Sequence, residues 1–341
     1  MKRVVFLAAL LLLPGIVVDS NSAPGESLAT QRDALLAGLK TTHNLTDAEV
    51  NDMRAIFSAS AYLGQGNPEV TEHPATPEQC REKLAQRQVS YENPEYEAIC
   101  GDKFMAPLFD PATQKPTEAT SCIDRFEFPN IPCAYPVVWA RAKEAAQLCR
   151  AEGKRLCDAH EWEGGCQGSM QSPDYRFDLV PTGSSEAGIR AMRRAHNAKH
   201  AADKRWSYGP QYQRGVCGAS SQKSPQCSGG SWTKCGSNTY PAGYFPECGS
   251  PLGVVDINGN AAEHMNLPTR ESEMASTGSR TLGHTEMKGS WFIFDRYRAH
   301  EDWCRWRAPY WHGSRVMAEN SHRNYHLGFR CCKSLETTAS P

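Results

Sequence analysis

Two carboxylates flank a flexible turn in the segment DINGNAAE, residues 256–263. Asp256 opens this turn after two valines, Glu263 closes it, and Gly259 lies between them. Calcium ions take oxygen ligands from carboxylates and backbone carbonyls, so the segment could supply half of a calcium site. Acidic turns without an ion are common, and a plain turn after a strand is the alternative interpretation.

Aromatic and basic residues are combined near the C-terminus. Trp291 follows a Gly-Ser pair, and the segment WCRWRAPYW begins at Trp303 and contains Arg305, Arg307 and Tyr310. Because guanidinium groups match the shape of carboxylates and sulfate, these residues are candidates for a ligand pocket that takes an oxyanion. Cation–π packing of the arginines on tryptophans in the core is the alternative.

Two histidines lie four residues apart in a basic segment that is compatible with a helix over residues 187–204. On that helix, His196 and His200 would share one face, as paired imidazole ligands do. A metal site needs a third ligand nearby, and the segment lacks the H-E-x-x-H pattern of zinc proteases. A solvated basic helix is therefore the preferred interpretation.

The N-terminus and the cysteines indicate an exported protein. Lys2 and Arg3 precede an apolar run over residues 4–18, which predicts a signal peptide over residues 1–23; an uncleaved anchor is the alternative. The 14 cysteines include no C-x-x-C pair, so disulfides are favoured over zinc ribbons and thioredoxin chemistry. The net charge of −1 gives no case for nucleic acid or an anionic membrane as a partner.

Helices dominate the predicted structure before the cysteine-rich region. Residues 24–99 are polar and read as a helical N-terminal extension that packs on the main domain. One helix is opened by a capping box from Thr46 to Glu49 and runs to about Ser60. A weaker helix is predicted over residues 77–88.

The remainder of the chain reads as short strands and tight turns with few helices. A helix is predicted over residues 138–152, and Gly153 is placed to end it. Asp158 is a natural N-cap, and Glu161 would close its capping box, which gives Glu161 a structural role. Residues 209–249 hold four cysteines among Gly, Ser and Pro, and they are predicted to form a long loop closed by two disulfides.

Four motifs, taken in chain order, resemble the signature of the formylglycine-generating enzyme family. They are GKRL with EWE in residues 153–163, GVVDINGN in residues 253–260 followed by Glu263, GSW in residues 289–291, and GFRC in residues 328–331. The resemblance covers residues 100–334 and implies a sulfatase-modifying-factor domain. That domain has an α+β, loop-rich variant of the C-type lectin fold with little regular secondary structure. A disordered tail is expected over residues 335–341.

The resemblance also implies disulfides and a calcium site. It pairs Cys149 with Cys331 and Cys166 with Cys304, which leaves Cys157 as a reasonable partner for Cys332. Cys122 and Cys133 are assigned to disulfides as well. The positions that match a calcium site of the family, two by side chain and two by carbonyl, are Asp256, Gly259, Ala261 and Glu263.

The chain departs from the family at the copper centre. Formylglycine-generating enzymes bind copper through two cysteines soon after the GSW turn and use oxygen to oxidise a sulfatase cysteine. Residues 292–298 contain no cysteine, and Cys304 matches a structural half-cystine. A cuprous ion needs soft sulfur ligands, so copper is not expected. If the alignment with the family were shifted, Cys304 would match the second copper-binding cysteine. The first copper-binding cysteine would still be missing.

Two functions follow from this departure. The favoured one is a secreted or periplasmic binding or accessory protein that keeps the domain but lacks the oxidase site. Its partner would be an exported protein or a small-molecule ligand, with no membrane partner after signal cleavage. The alternative is an oxidase with a rearranged site, comparable to the periplasmic pyoverdine-maturation branch, and a true formylglycine-generating enzyme is a more distant third. No catalytic residue is assignable.

Overall fold

The computed structural model describes residues 27–180, 185–308 and 313–336. The predicted signal peptide therefore lies outside the described residues, as do Tyr310 and residues 337–341 of the predicted tail. The beginning of that tail is bonded to the domain, since the Leu335 N–H donates to the Thr120 carbonyl. None of the helices in the described ranges has the length and apolar character needed to cross a membrane.

The described part of the chain is a mixed α/β structure with seven α-helices and two small sheets. The helices are α1 Leu28–His43, α2 Asp47–Ala59, α3 Pro77–Gln86, α4 Pro94–Cys100, α5 Ala142–Ala151, α6 Ala159–Gln167 and α7 Glu186–His200. The strands are β1 Met105–Pro107, β2 Ser121–Asp124, β3 Arg155–Leu156, β4 Ala262–Leu267, β5 His284–Lys288, β6 Leu327–Phe329 and β7 Cys331–Ser334.

The N-terminal helices share a core with the rest of the chain. Thr46 and Glu49 form the expected capping box at the start of α2, and a second capping box opens α3. Met53 and Phe57 of α2 belong to the same buried cluster as Phe329 of β6. The helical extension is thus packed directly on the main domain.

Helix α5 is shorter than the sequence predicts. The Val138 N–H donates to the Gly64 carbonyl and the Ala140 N–H to the Leu327 carbonyl, while Trp139 takes a left-handed φ of 57°. A right-handed helix cannot contain the left-handed backbone of Trp139, and the helix begins beyond it, at Ala142.

The two sheets meet where β6 passes into β7. The first sheet has the order β1-β2-β7-β3 and is antiparallel, and the second has the order β5-β4-β6, in which β4 and β6 run parallel. Gly328 of β6 faces the chain so closely that a Cβ would meet the Val137 carbonyl oxygen at 2.6 Å. Glycine is therefore required at this point of the LGFRCC segment.

All 14 cysteines lie in the described residues and form seven disulfides. The pairs are Cys80–Cys133, Cys100–Cys122, Cys149–Cys331, Cys157–Cys332, Cys166–Cys304, Cys217–Cys248 and Cys227–Cys235. The third to fifth pairs are those predicted above. Cys122 and Cys133 bond to different partners, and residues 209–249 contain two bridges. Such a set of disulfides is typical of an oxidising, non-cytoplasmic compartment.

Candidate functional site

The aromatic and basic members of the predicted oxyanion pocket make different contacts. Trp291 is buried and stacks on His326, and Trp303 is buried in the core with Trp306. Arg305 and Arg307 instead make ionic contacts to Glu163 of α6, and hydrogen bonds join them to His200 and Asn197 of α7. Among the described residues, Arg307 lies over the ring of Tyr175 rather than over a tryptophan, 4.7 Å from its centroid.

Glu163 of α6 forms the centre of a buried ionic cluster. Its Oε1 accepts a hydrogen bond from Lys288 Nζ at 3.1 Å and from Arg307 Nε at 3.0 Å. Burial alone would raise the pKa of Glu163, but Arg307, Lys288 and His196 lower this pKa well below its ordinary value. Glu163 is therefore an anion that ties β5 and the segment around Arg307 to α6. Arg307, being fully buried and held by Glu163, is not available to a soluble oxyanion.

Helix α7 is not the solvated helix that its composition predicts. His196 is only 2% exposed, and its Nε2 lies 2.9 Å from the Arg305 carbonyl oxygen. His200, one turn on, places Nε2 at 2.7 Å from Asp174 Oδ2, and its Nδ1 is 3.3 Å from Arg305 Nη1. The helix thus directs both imidazoles inward, towards a carboxylate on the segment that follows α6.

Asp174 is the residue that sequence reasoning missed. It lies in an irregular segment between α6 and α7, and its Oδ1 is 3.0 Å from His196 Nδ1. Burial would raise the pKa of Asp174, but His196, His200 and Arg307 hold it well below its ordinary value. No motif surrounds Asp174 in the sequence, so only the tertiary structure identifies it as the third member of a group with the two histidines.

The acidic turn at residues 256–263 has a different character. Glu263 accepts hydrogen bonds from Arg330 Nη2 at 2.6 Å on Oε1 and from Arg330 Nε at 2.7 Å on Oε2. Trp162 Nε1 donates a further bond to Oε2 at 2.9 Å. A guanidinium fork therefore occupies both oxygens of Glu263, the side chain that the resemblance assigns to calcium.

Two other carboxyls support this turn. Asp256 Oδ2 accepts a hydrogen bond from the Gly243 N–H at 2.5 Å, and burial raises the pKa of Asp256 to about 7. Glu127, which no sequence motif singles out, accepts from the Ala261 N–H at 2.7 Å. Burial also raises the pKa of Glu127 well above its ordinary value. These bonds fix the backbone of the turn.

The GKRLCDAHEWE segment is structural in the way that the capping pattern predicts. The Asp158 N–H donates to Glu161 Oε2 at 2.9 Å, which completes the capping box of α6. Arg155 binds the same Glu161 carboxylate through two hydrogen bonds of 2.7 Å. Glu161 is thus fully engaged in positioning α6, and α6 in turn positions Glu163.

Two groups of side chains within the described ranges bring three potential metal ligands close together. One contains Asp124, Glu152 and Cys331, but the sulfur of Cys331 is bonded to Cys149 and cannot act as a thiolate. The other group is Asp174, His196 and His200, whose ligand atoms all lie within 4.8 Å of one another.

No protein-family model matches this chain, and neither does any curated protein.

Proposed function

We propose that the chain is an exported binding or accessory protein with a domain like that of the formylglycine-generating enzymes, a C-type-lectin-like fold, and no copper oxidase site. The observation that carries this proposal is that every cysteine is part of a disulfide. A copper(I) centre of the family type needs two thiolates, and a disulfide sulfur offers neither the charge nor the softness of a thiolate.

The segment after the GSW turn adds support. Phe292, Ile293 and Phe294 are buried there, and they pack in one cluster with Trp291 and Tyr325. In the family this stretch carries the copper cysteines, whereas here large apolar side chains fill the corresponding space. Apolar residues in place of the two cysteines favour a packing role for this segment over a metal-binding one.

The disulfides support the exported location, secreted or periplasmic, and the partner would be an exported protein or a small molecule. A calcium ion at Asp256, Gly259, Ala261 and Glu263 stays a prediction from the resemblance. It would require Glu263 to release an oxygen from Arg330. The calcium titration in the Discussion tests it.

A thiol count and a copper titration test the proposal together. The protein, denatured without a reductant, is expected to show fewer than about 0.1 free thiols per chain, because a disulfide carries none. Native protein should not compete with a copper(I) chelator, whereas protein reduced under denaturing conditions should compete, which controls for the assay. Two free thiols with one bound copper per native chain would overturn the proposal.

One observation favours the second candidate, an exported oxidase with a rearranged site. Two imidazoles and one carboxylate are the ligand set of many non-haem iron oxygenases, and Asp174, His196 and His200 provide these groups. Oxygen uptake by iron-loaded protein in the presence of candidate thiols would favour the oxidase over the binding protein. Uptake no faster than that of free iron would exclude it.

A further inference from the structure

The neighbours of His196 fix which of its two ring nitrogens carries the hydrogen. Nε2 lies 2.9 Å from the Arg305 carbonyl oxygen and 3.4 Å from Glu163 Oε1. Both oxygens can only accept a hydrogen bond, so Nε2 must carry the hydrogen. In the neutral ring, Nδ1 then presents a lone pair.

This lone pair faces a carboxylate oxygen. His196 Nδ1 and Asp174 Oδ1 are 3.0 Å apart, yet they are not aligned for a hydrogen bond, and both atoms are buried without another hydrogen-bond partner. Two acceptor atoms at this distance repel each other, and their desolvation is uncompensated.

We propose that Asp174, His196 and His200 bind one divalent transition-metal ion of the Zn²⁺ type. An ion beside both acceptor atoms would convert their repulsion into two coordinate bonds. Tetrahedral ligand atoms that each lie about 2.1 Å from an ion are about 3.4 Å apart, so the 3.0 Å between His196 Nδ1 and Asp174 Oδ1 has to widen by only a few tenths of an ångström to admit the ion. This inference is independent of the binding function proposed above.

The ligand set selects the class of metal. Imidazole nitrogen with carboxylate oxygen suits Zn²⁺ and Fe²⁺, whereas Ca²⁺ requires six to eight oxygens and Cu⁺ prefers sulfur. The Arg305 carbonyl holds the His196 ring through Nε2, as a second hydrogen bond commonly orients a metal-bound histidine.

The charged neighbours of the group define what else would bind. Arg307 Nη2 is 3.6 Å from Asp174 Oδ1, Lys199 Nζ is 3.2 Å from Asp174 Oδ2, and Arg305 Nη1 is 3.3 Å from His200 Nδ1. Arg307 and Lys199 compete with a metal for the Asp174 carboxylate, so we expect moderate rather than extreme affinity. Three protein ligands leave a coordination position open, and the surrounding positive charge favours an anion or hydroxide there.

The experiment measures zinc binding to the full oxidised chain after removal of metals by a chelator. We expect one Zn²⁺ per chain by calorimetry and by elemental analysis. Asp174→Asn and His200→Gln should each lower the affinity more than about 100-fold, beyond the loss typical of residues that only orient a ligand. Asp178→Asn is the matched control, because Asp178 is exposed in the same segment and pairs with Arg176.

A spectroscopic measurement needs no variant and so does not depend on variant folding. Co²⁺ added to wild-type protein should give visible absorption bands of nitrogen and oxygen ligation, without a thiolate charge-transfer band, and Zn²⁺ should displace it. Fewer than about 0.1 Zn²⁺ per wild-type chain, or a folded Asp174→Asn protein that binds zinc as tightly as Asp178→Asn, would overturn the proposal. Absence of the cobalt bands would do so as well.

Discussion

Two largely buried polar regions of this protein each contain a carboxylate beside an arginine, and they differ in whether their polar atoms are satisfied. In the turn at residues 256–263, Arg330 and Trp162 occupy both oxygens of Glu263. In the group of Asp174, His196 and His200, a ring nitrogen and a carboxylate oxygen face each other without a hydrogen bond. The sequence motif marks the satisfied region, whereas only the spacing of His196 and His200 marks the unsatisfied one, and Asp174 has no motif. An acidic motif can therefore be structural while another group of potential ligands is completed by a residue without a motif.

The largest effect should come from removing the cation that satisfies the turn. Arg330→Met leaves Glu263 buried without its partner, and Arg330 is itself fully buried. Breaking such a pair costs about 3–5 kcal/mol, so we expect the free energy of unfolding in urea, with disulfides intact, to fall by that amount. A loss below about 1 kcal/mol would show that the turn does not depend on this pair.

Adding a metal ion should stabilise the folded protein through the group of Asp174, His196 and His200, whereas the first substitution destabilises it at the turn. Zn²⁺ at 100 times its dissociation constant should stabilise the chelator-treated protein by about 2.7 kcal/mol, through binding to the folded state alone. The measurement is thermal unfolding with and without the ion, and Asp174→Asn should abolish the effect.

Calcium provides the matching test at the turn. Because Arg330 occupies the Glu263 carboxylate, we expect Ca²⁺ to raise the unfolding temperature much less than Zn²⁺ does at equal concentration. A larger rise with Ca²⁺, lost in Glu263→Gln, would instead establish the calcium site that the resemblance implies.

The pH dependence of stability should report on Asp256. Burial raises the pKa of Asp256 to about 7, above the value of about 3.9 for an unfolded aspartate. The folded state therefore binds the extra proton, and this carboxyl reduces stability as the pH rises from about 4 to 7. Asp256→Asn should remove that loss, so its stability relative to wild type should rise by about 2–3 kcal/mol between pH 5 and pH 8, measured by urea unfolding at each pH. A stability difference between Asp256→Asn and wild type that stays constant over this pH range would contradict the raised pKa of Asp256.

The smallest effect is expected at an exposed ion pair. Arg54 and Asp33 pair between α2 and α1, with both side chains about half exposed or more. Exposed pairs contribute about 0–1 kcal/mol, so Arg54→Met should change the free energy of unfolding within that range. An effect as large as that of Arg330→Met would mean that burial does not explain the difference between the pairs.

Local features of the fold could be predicted from the sequence. The capping boxes of α2 and α6 depend on residues three positions apart, and both form as their pattern predicts. The start of α5 could not be predicted in this way, because Val138 and Ala140 bond to backbone far away in the chain. These bonds accompany the left-handed φ of Trp139, a conformation that a helix cannot contain and that a periodic pattern does not reveal.

Only part of the candidate site could be predicted from the sequence. The spacing of His196 and His200 indicates a shared helix face, and this much is correct. The direction of that face could not be read from a basic composition, since it depends on Arg305 and Arg307, which lie more than 100 residues along the chain. The sequence around Asp174 does not predict its place beside the two histidines, because that place results from the packing of the segment between α6 and α7.

The most direct test of the contrast between the two regions is the zinc content of chelator-treated wild-type protein after dialysis against Zn²⁺, measured beside Asp174→Asn. We predict one zinc per wild-type chain and less than about 0.1 per chain of the variant. Equal zinc content in the two folded proteins, or none in either, would contradict the assignment of Asp174, His196 and His200 as the metal-binding group.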